Sequence, residues 1–88
     1  MIWYLILCRS LTYAQRTSRL LERGGISSTI MRSPQGVAKE GCSYCVKVSQ
    51  RRWGQAIDIL KKEHTLPLGR VYTLNAHGEI REVANDLF

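Results

Sequence analysis

The chain has 88 residues, enough for one domain with one modest core, so 1–88 reads as a single unit and a second independent domain is not expected. Hydrophobic residues at 44% and charged residues at 23% make an ordinary globular balance without a low-complexity tract, which argues against disorder. Thirteen Lys and Arg against seven Asp and Glu give a charge of +6, which favours anionic partners without choosing among them and is most often a solvated surface.

Residues 2–8 are a continuous apolar run with Ile, Trp and Tyr prominent, which predicts a strand covered on both faces near the middle of a sheet. The run is too short to cross a bilayer, no basic leader precedes it, and Leu7 is too large for the small residue of a lipoprotein cleavage site. No membrane contact and a cytoplasmic setting are therefore expected, with the three cysteines present as thiols instead of a disulfide framework. Ser10 or Thr12 can cap a helix over 11–23, Thr12 and Gln15 stand at capping-box spacing, and Gly24-Gly25 supplies a left-handed stop. Along this helix Tyr13 or Ala14, Thr17, Leu20 and Leu21 recur toward a core, leaving Arg16, Arg19 and Arg23 in water.

Residues 26–31 predict a second strand. Between 32 and 41, Pro34, Gly36 and Gly41 forbid a regular element throughout, so a shaped loop is expected. Alternation over 43–48 then puts Tyr44, Val46 and Val48 on the core face and Ser43, Cys45 and Lys47 on the other. Ser49 can cap a helix over about 51–63, in which Trp53, Ala56, Ile57 and Leu60 form one apolar stripe. Pro67 separates it from a strand over 70–74, a turn at Asn75-Ala76-His77-Gly78 and a short return strand over 79–83. The order β-α-β-β-α-β predicts an α+β fold. Its expected form is a two-layer ferredoxin-like sandwich, both helices on one face of an antiparallel sheet, with an extra C-terminal hairpin strand. Because Ile2, Tyr4, Ile6 and Cys8 alternate with Trp3, Leu5 and Leu7, the sheet face away from the helices is expected to expose an apolar patch. A second copy in a homodimer, or a terminal segment, would cover it.

Cys42 follows the glycine-bearing loop where loop becomes strand, which favours a reachable thiol on a fixed backbone. Lys39, Lys47 or Arg32 would lower its pKa and Glu40 would raise it, and a small buried hydrophobe is the equal alternative. Cys45 completes a Cys-x-x-Cys spacing, but Cys-Val-Lys-Val continues as a strand and does not open a helix, which argues against a thioredoxin-type pair. In an extended strand the two side chains point to opposite faces, so a disulfide requires the chain to curl at Cys42, and Cys45 is at most a resolving thiol. His64 and His77 lie too far downstream for paired zinc-ligand spacing; His77 reads as a turn residue, His64 as a helix-end residue, and no metal or cofactor is expected. Cys8 reads as packing. An RNA-recognition strand would carry several aromatics where 40–46 has Tyr44 alone, on the core side, so nucleic acid is disfavoured as a partner.

Several short motifs carry a resemblance over nearly the whole chain. They are the first strand ending in Cys8-Arg9-Ser10, the helix ending in Leu-Leu-Glu-Arg-Gly-Gly, the Ser33-Pro34 step, and the Gly41-Cys42 loop entering Tyr44-Cys45-Val46-Lys47-Val48. In these the chain resembles the small bacterial proteins grouped as selenium/sulfur (Se/S) carrier-like. The family pattern has Pro-Arg and, several residues on, Cys-Gly; here Gln35 follows Pro34 and Ser43 follows Cys42. The resemblance implies that Cys42 accepts a sulfane sulfur from a donor protein, holds it as a persulfide and passes it to an acceptor thiol. On that reading Arg9 and Lys39 steer partners and stabilise negative charge, and Cys45 resolves the persulfide as a disulfide. Such a chain is a carrier first and an enzyme only loosely. The alternative is a non-catalytic interaction or regulatory domain that dimerises through its apolar sheet face, with Cys42 structural.

Overall fold

In the computed structural model, residues 1–8, 10–33, 44–62 and 71–83 are described. Their elements in chain order are β1 (Trp3–Cys8), α1 (Leu11–Arg23), β2 (Thr29–Arg32), β3 (Tyr44–Ser49), α2 (Gln50–Lys62), β4 (Val71–Leu74) and β5 (Ile80–Glu82). The five strands form one sheet in the order β2-β3-β1-β4-β5, every neighbouring pair antiparallel. The fold is therefore α+β, with two helices and a five-stranded antiparallel sheet.

The period-two alternation of β1 sorts its side chains into two clusters. Ile6 and Cys8, with Tyr4 against them, join Val46, Val48 and Val71 of the neighbouring strands. The same cluster takes in Ala14 and Leu21 of α1 and the whole apolar stripe of α2, Trp53, Ala56, Ile57 and Leu60. Tyr4 stacks on Trp53 with ring centroids 4.4 Å apart and planes 6° from parallel, a contact worth about 1 kcal/mol beyond its buried area. Leu5 gathers the second cluster with Cys45 and Tyr72, flanked by the half-buried Leu7, Met31, Leu74 and Ile80. Leu5 and Cys45 are 0% exposed within the single chain. The middle of this face is thus closed within the single chain. Trp3, at its end, is half-buried under the Lys47 ammonium, which lies 5.0 Å from the ring centroid.

The helix ends follow local chemistry. Ser10 has extended backbone and its hydroxyl accepts the Tyr13 N–H at 3.3 Å, so it is Ser10 and not Thr12 that caps α1. At the other end the Ile26 N–H donates to Leu21 O at 2.9 Å and the Gly25 N–H to Glu22 O at 3.0 Å, the paired bonds of a Schellman stop, with Gly25 at φ 81°. This stop moves the start of β2 from the expected residue 26 to Thr29, because Ile26 spends its N–H on the helix and its side chain, buried, on the core. Ala14, not Tyr13, faces inward. Ser49 is not a free cap but the last residue of β3, paired with Trp3, and α2 begins at once with the Gln50 N–H donating to Ile2 O at 3.1 Å. After β4, Asn75 Oδ1 accepts the N–H groups of both His77 and Glu79 at 2.9 Å, and Gly78 at φ 82° completes the turn that folds β5 back onto β4.

Two glycines of the helical units test this account in opposite directions. Gly25→Ala puts a Cβ into left-handed backbone and is expected to cost about 1–2 kcal/mol. At Gly54, exposed in the interior of α2, an added Cβ meets nothing within 4 Å, so Gly54→Ala is expected to gain about 1 kcal/mol through helix propensity. Urea unfolding midpoints should move in opposite directions at unchanged slope.

Candidate functional site

The ladder pairs Cys8 with Tyr44 and Tyr44 with Arg32, so β1 and β2 end and β3 begins at one end of the sheet. The connection 34–43, with Cys42 two positions before Tyr44, is rooted at that end. Helix α1 starts there after β1, its first turn free of acidic residues. Helix α2 starts at the opposite end, after Ser49, and runs back so that Lys61 and Lys62 fall in its last turn. Arg32, exposed and beside Tyr44 in the ladder, adds a third cation. Three cations, Arg32, Lys61 and Lys62, thus stand at this end of the sheet beside the amino end of α1 and the carbonyl end of α2.

Among the expected site residues, Arg9, Lys39 and Cys42 lie outside the described residues, as does His64. Cys45 is placed in detail. It sits in the interior of β3 between Met31 and Leu7, fully buried, with its Sγ 3.3 Å from Ser33 Oγ. Burial raises its pKa and the Ser33 hydrogen bond offsets part of that rise. Cys8 is buried in the other cluster, its Sγ donating to Ile6 O at 3.6 Å. Burial pushes its pKa up to about 11, the Thr17 hydrogen bond lowers it by less, and a smaller charge effect of Cys45 raises it. Cys8 and Cys45 belong to clusters on opposite faces of the sheet. Both are free thiols in environments that disfavour the thiolate.

Lys47, close to Cys42 in sequence, is engaged elsewhere, its ammonium lying over Trp3 toward the far end of the sheet. His77 is exposed and holds the Asn75 turn through its backbone N–H. Among the described residues no three His, Cys, Asp or Glu side chains come together, and no helix is long and apolar enough to cross a membrane. Sequence reasoning missed Ser33 as the partner of Cys45. Twelve positions separate them, and only the β2–β3 register, which faces Met31 with Cys45, makes them neighbours.

A family model described as "Putative Se/S carrier protein-like" matches residues 3–72. The chain belongs to this family. No curated protein matches it. The matched span runs from the first residue of β1 into β4 and takes in all three cysteines, while the β5 hairpin strand falls beyond it. In this carrier-like chain two of the three thiols are thus buried in the sheet, with their pKa raised.

The raised pKa of Cys8 makes stability pH-dependent in a defined window. Above its ordinary value of 9.0 the unfolded chain loses a proton that the folded chain keeps until about 11, so stability falls between these values and levels beyond them. Cys45 acts in the same direction. The fall is expected at up to about 1.4 kcal/mol per pH unit for Cys8, and Cys8→Ala should make it shallower in chemical denaturation across that range.

Proposed function

We propose that this protein is a sulfur or selenium carrier that works in the cytoplasm through Cys42. The frame is ferredoxin-like, both helices over one face of the sheet and the Cys42 segment at its end. The observation that supports this most is a contrast within the family span: Cys8 and Cys45 are buried with raised pKa, which leaves Cys42 as the thiol for the chemistry that the family description names. At this sheet end Arg32, Lys61, Lys62 and the amino end of α1 favour an anionic sulfur in a segment rooted there. Arg9 and Lys39, close in sequence to the same end, would add to this field.

The transfer runs without a net oxidant. The Cys42 thiolate attacks the outer sulfur of a donor persulfide; a new S–S bond forms, the donor S–S bond breaks, and the donor leaves as a thiolate. An acceptor thiolate then attacks the outer sulfur now on Cys42, and the Cys42 thiolate is released. Cys45 is the resolving thiol on this reading: attack on the Cys42 sulfur forms a disulfide and expels hydrosulfide. Its burial and its raised pKa make that discharge slow, which suits a carrier that must hold its cargo.

Exposure of the native protein to inorganic polysulfide, followed by site-resolved mass spectrometry, is expected to place the added sulfur on Cys42. Cys42→Ser should fold normally and load no sulfur, and alkylation of Cys42 should outpace that of Cys45 by on the order of 100-fold. Added sulfur on Cys8 or Cys45 instead, or equal loading of Cys42→Ser, would sink the carrier reading.

A further inference from the structure

We propose that the outer surface of α1 and α2 is a docking face for a partner protein whose own contact surface is acidic. The inference deepens the carrier reading, on which its link to sulfur exchange rests; the surface itself stands on separate observations. Arg16, Arg19 and Arg23 on α1 recur at i, i+3 and i+7, one stripe along the helix. Helix α2 adds Arg51 and Arg52 in its first turn and Lys61 and Lys62 in its last. Against these seven cations the two helices carry Glu22 and Asp58 alone, so the helix layer holds +5 of the chain's +6. All seven are exposed, and among the described residues none is ion-paired; Arg52 hydrogen-bonds Gln55 at 3.0 Å. The charge is available to a partner instead of being neutralised within the fold.

Exposed apolar side chains flank the arginine stripe at one end. Leu11 is 42% and Tyr13 51% exposed, two of the three large exposed hydrophobics among the described residues, and both stand in the first turn of α1. Aromatic and arginine side chains are enriched in protein–protein contacts. A phosphate backbone laid along the helices would meet the Asp58 carboxylate midway down α2 and Glu22 near the end of α1, whereas a protein can place its carboxylates opposite the cations alone. An acidic protein is the occupant that this arrangement fits. Leu11 and Tyr13 lie at the sheet end where the 34–43 connection enters β3, so a partner seated on them is held at the root of the Cys42 segment.

The test uses the isotope-labelled full chain and a short glutamate-rich peptide bearing one leucine, titrated at low ionic strength while backbone amide signals are followed. Shifts are expected to concentrate on α1 and the ends of α2. Arg19→Glu should weaken binding at least about fivefold, whereas the same charge reversal at the exposed Arg81 of β5 should change it less than about twofold. Tyr13→Ser should weaken the leucine-bearing peptide and leave an all-glutamate peptide unaffected. Dispersed amide spectra confirm that each variant folds, and Arg16→Glu serves in place of Arg19→Glu should the latter not. Shifts centred away from the helices, or equal effects of the two charge reversals, overturn the proposal. Tighter binding of oligouridylate of equal charge also overturns it, by assigning the face to nucleic acid. Peptide binding does not need the thiol, so Cys42→Ser keeps it. Loss of persulfide loading and loss of docking are therefore separately readable.

Discussion

Burial of β1 on both faces is the constraint from which the rest of the structure follows. Leu5 and Ile6, adjacent in the chain and pointing to opposite sides, are both fully inaccessible. A strand in that position needs a hydrogen-bonded neighbour on each edge, supplied by β3 and β4, and apolar material on each face. The helices supply one face through Trp53, Ala56, Leu60, Ala14 and Leu21. Side chains of the sheet itself contribute to the other, Leu5 packing with Cys45 and Tyr72. For a chain of this length, where little apolar surface is available to bury, placing the most apolar segment at the centre concentrates the hydrophobic gain where both faces use it.

The thiols inherit their chemistry from that arrangement. A pKa near 11 leaves about one Cys8 in ten thousand as thiolate at pH 7, against about one in a hundred at its ordinary value of 9.0, a hundredfold loss of nucleophile before access is considered. Cys45 is shifted in the same direction and has no exposed surface. A sheet interior is thus a place where cysteine behaves as a hydrophobe. Sulfur exchange needs the opposite environment, with a reachable atom and positive charge close by, and the sheet end where 34–43 is rooted supplies charge that the interior cannot.

Much of this was legible in the residues. The bounds of α1, the stripe of α2, the two faces of β1 and β3 and the Asn75 turn all follow from periodicity and turn chemistry, because each is a local pattern with one low-energy solution. The start of β2 was not legible. Ile26 looks like a strand residue by type, yet its N–H completes the Schellman bonds, a choice made by Gly25 and the packing of Leu21 and not by the intrinsic preference of Ile26. The Ser33–Cys45 contact was invisible for a different reason. It depends on strand register, which no spacing within one strand reveals. Lys47 shows the same limit: sequence proximity suggested a partner for Cys42, while alternation places its ammonium over Trp3. At the site itself Cys42 lies outside the described residues, and the structure's contribution is to place Cys8 and Cys45 as buried thiols.

The position of the charges sharpens what the carrier reading requires. A thirteen-residue helix is about 20 Å long, roughly twice the screening length of physiological salt. Arg51 and Arg52, in the first turn of α2, are therefore a full helix away from the sheet end and contribute little to the potential there. Lys61, Lys62 and Arg32 stand at that end and act on it directly. On the carrier reading one net charge thus divides into two roles: a near set placed to act on an anionic sulfur, and a far set that acts on a partner lying along the helices. Salt would weaken the second before the first, since a contact spread over exposed cations is screened more readily than a charge held beside its ligand. A carrier that must release its partner while keeping its cargo needs that order of sensitivities.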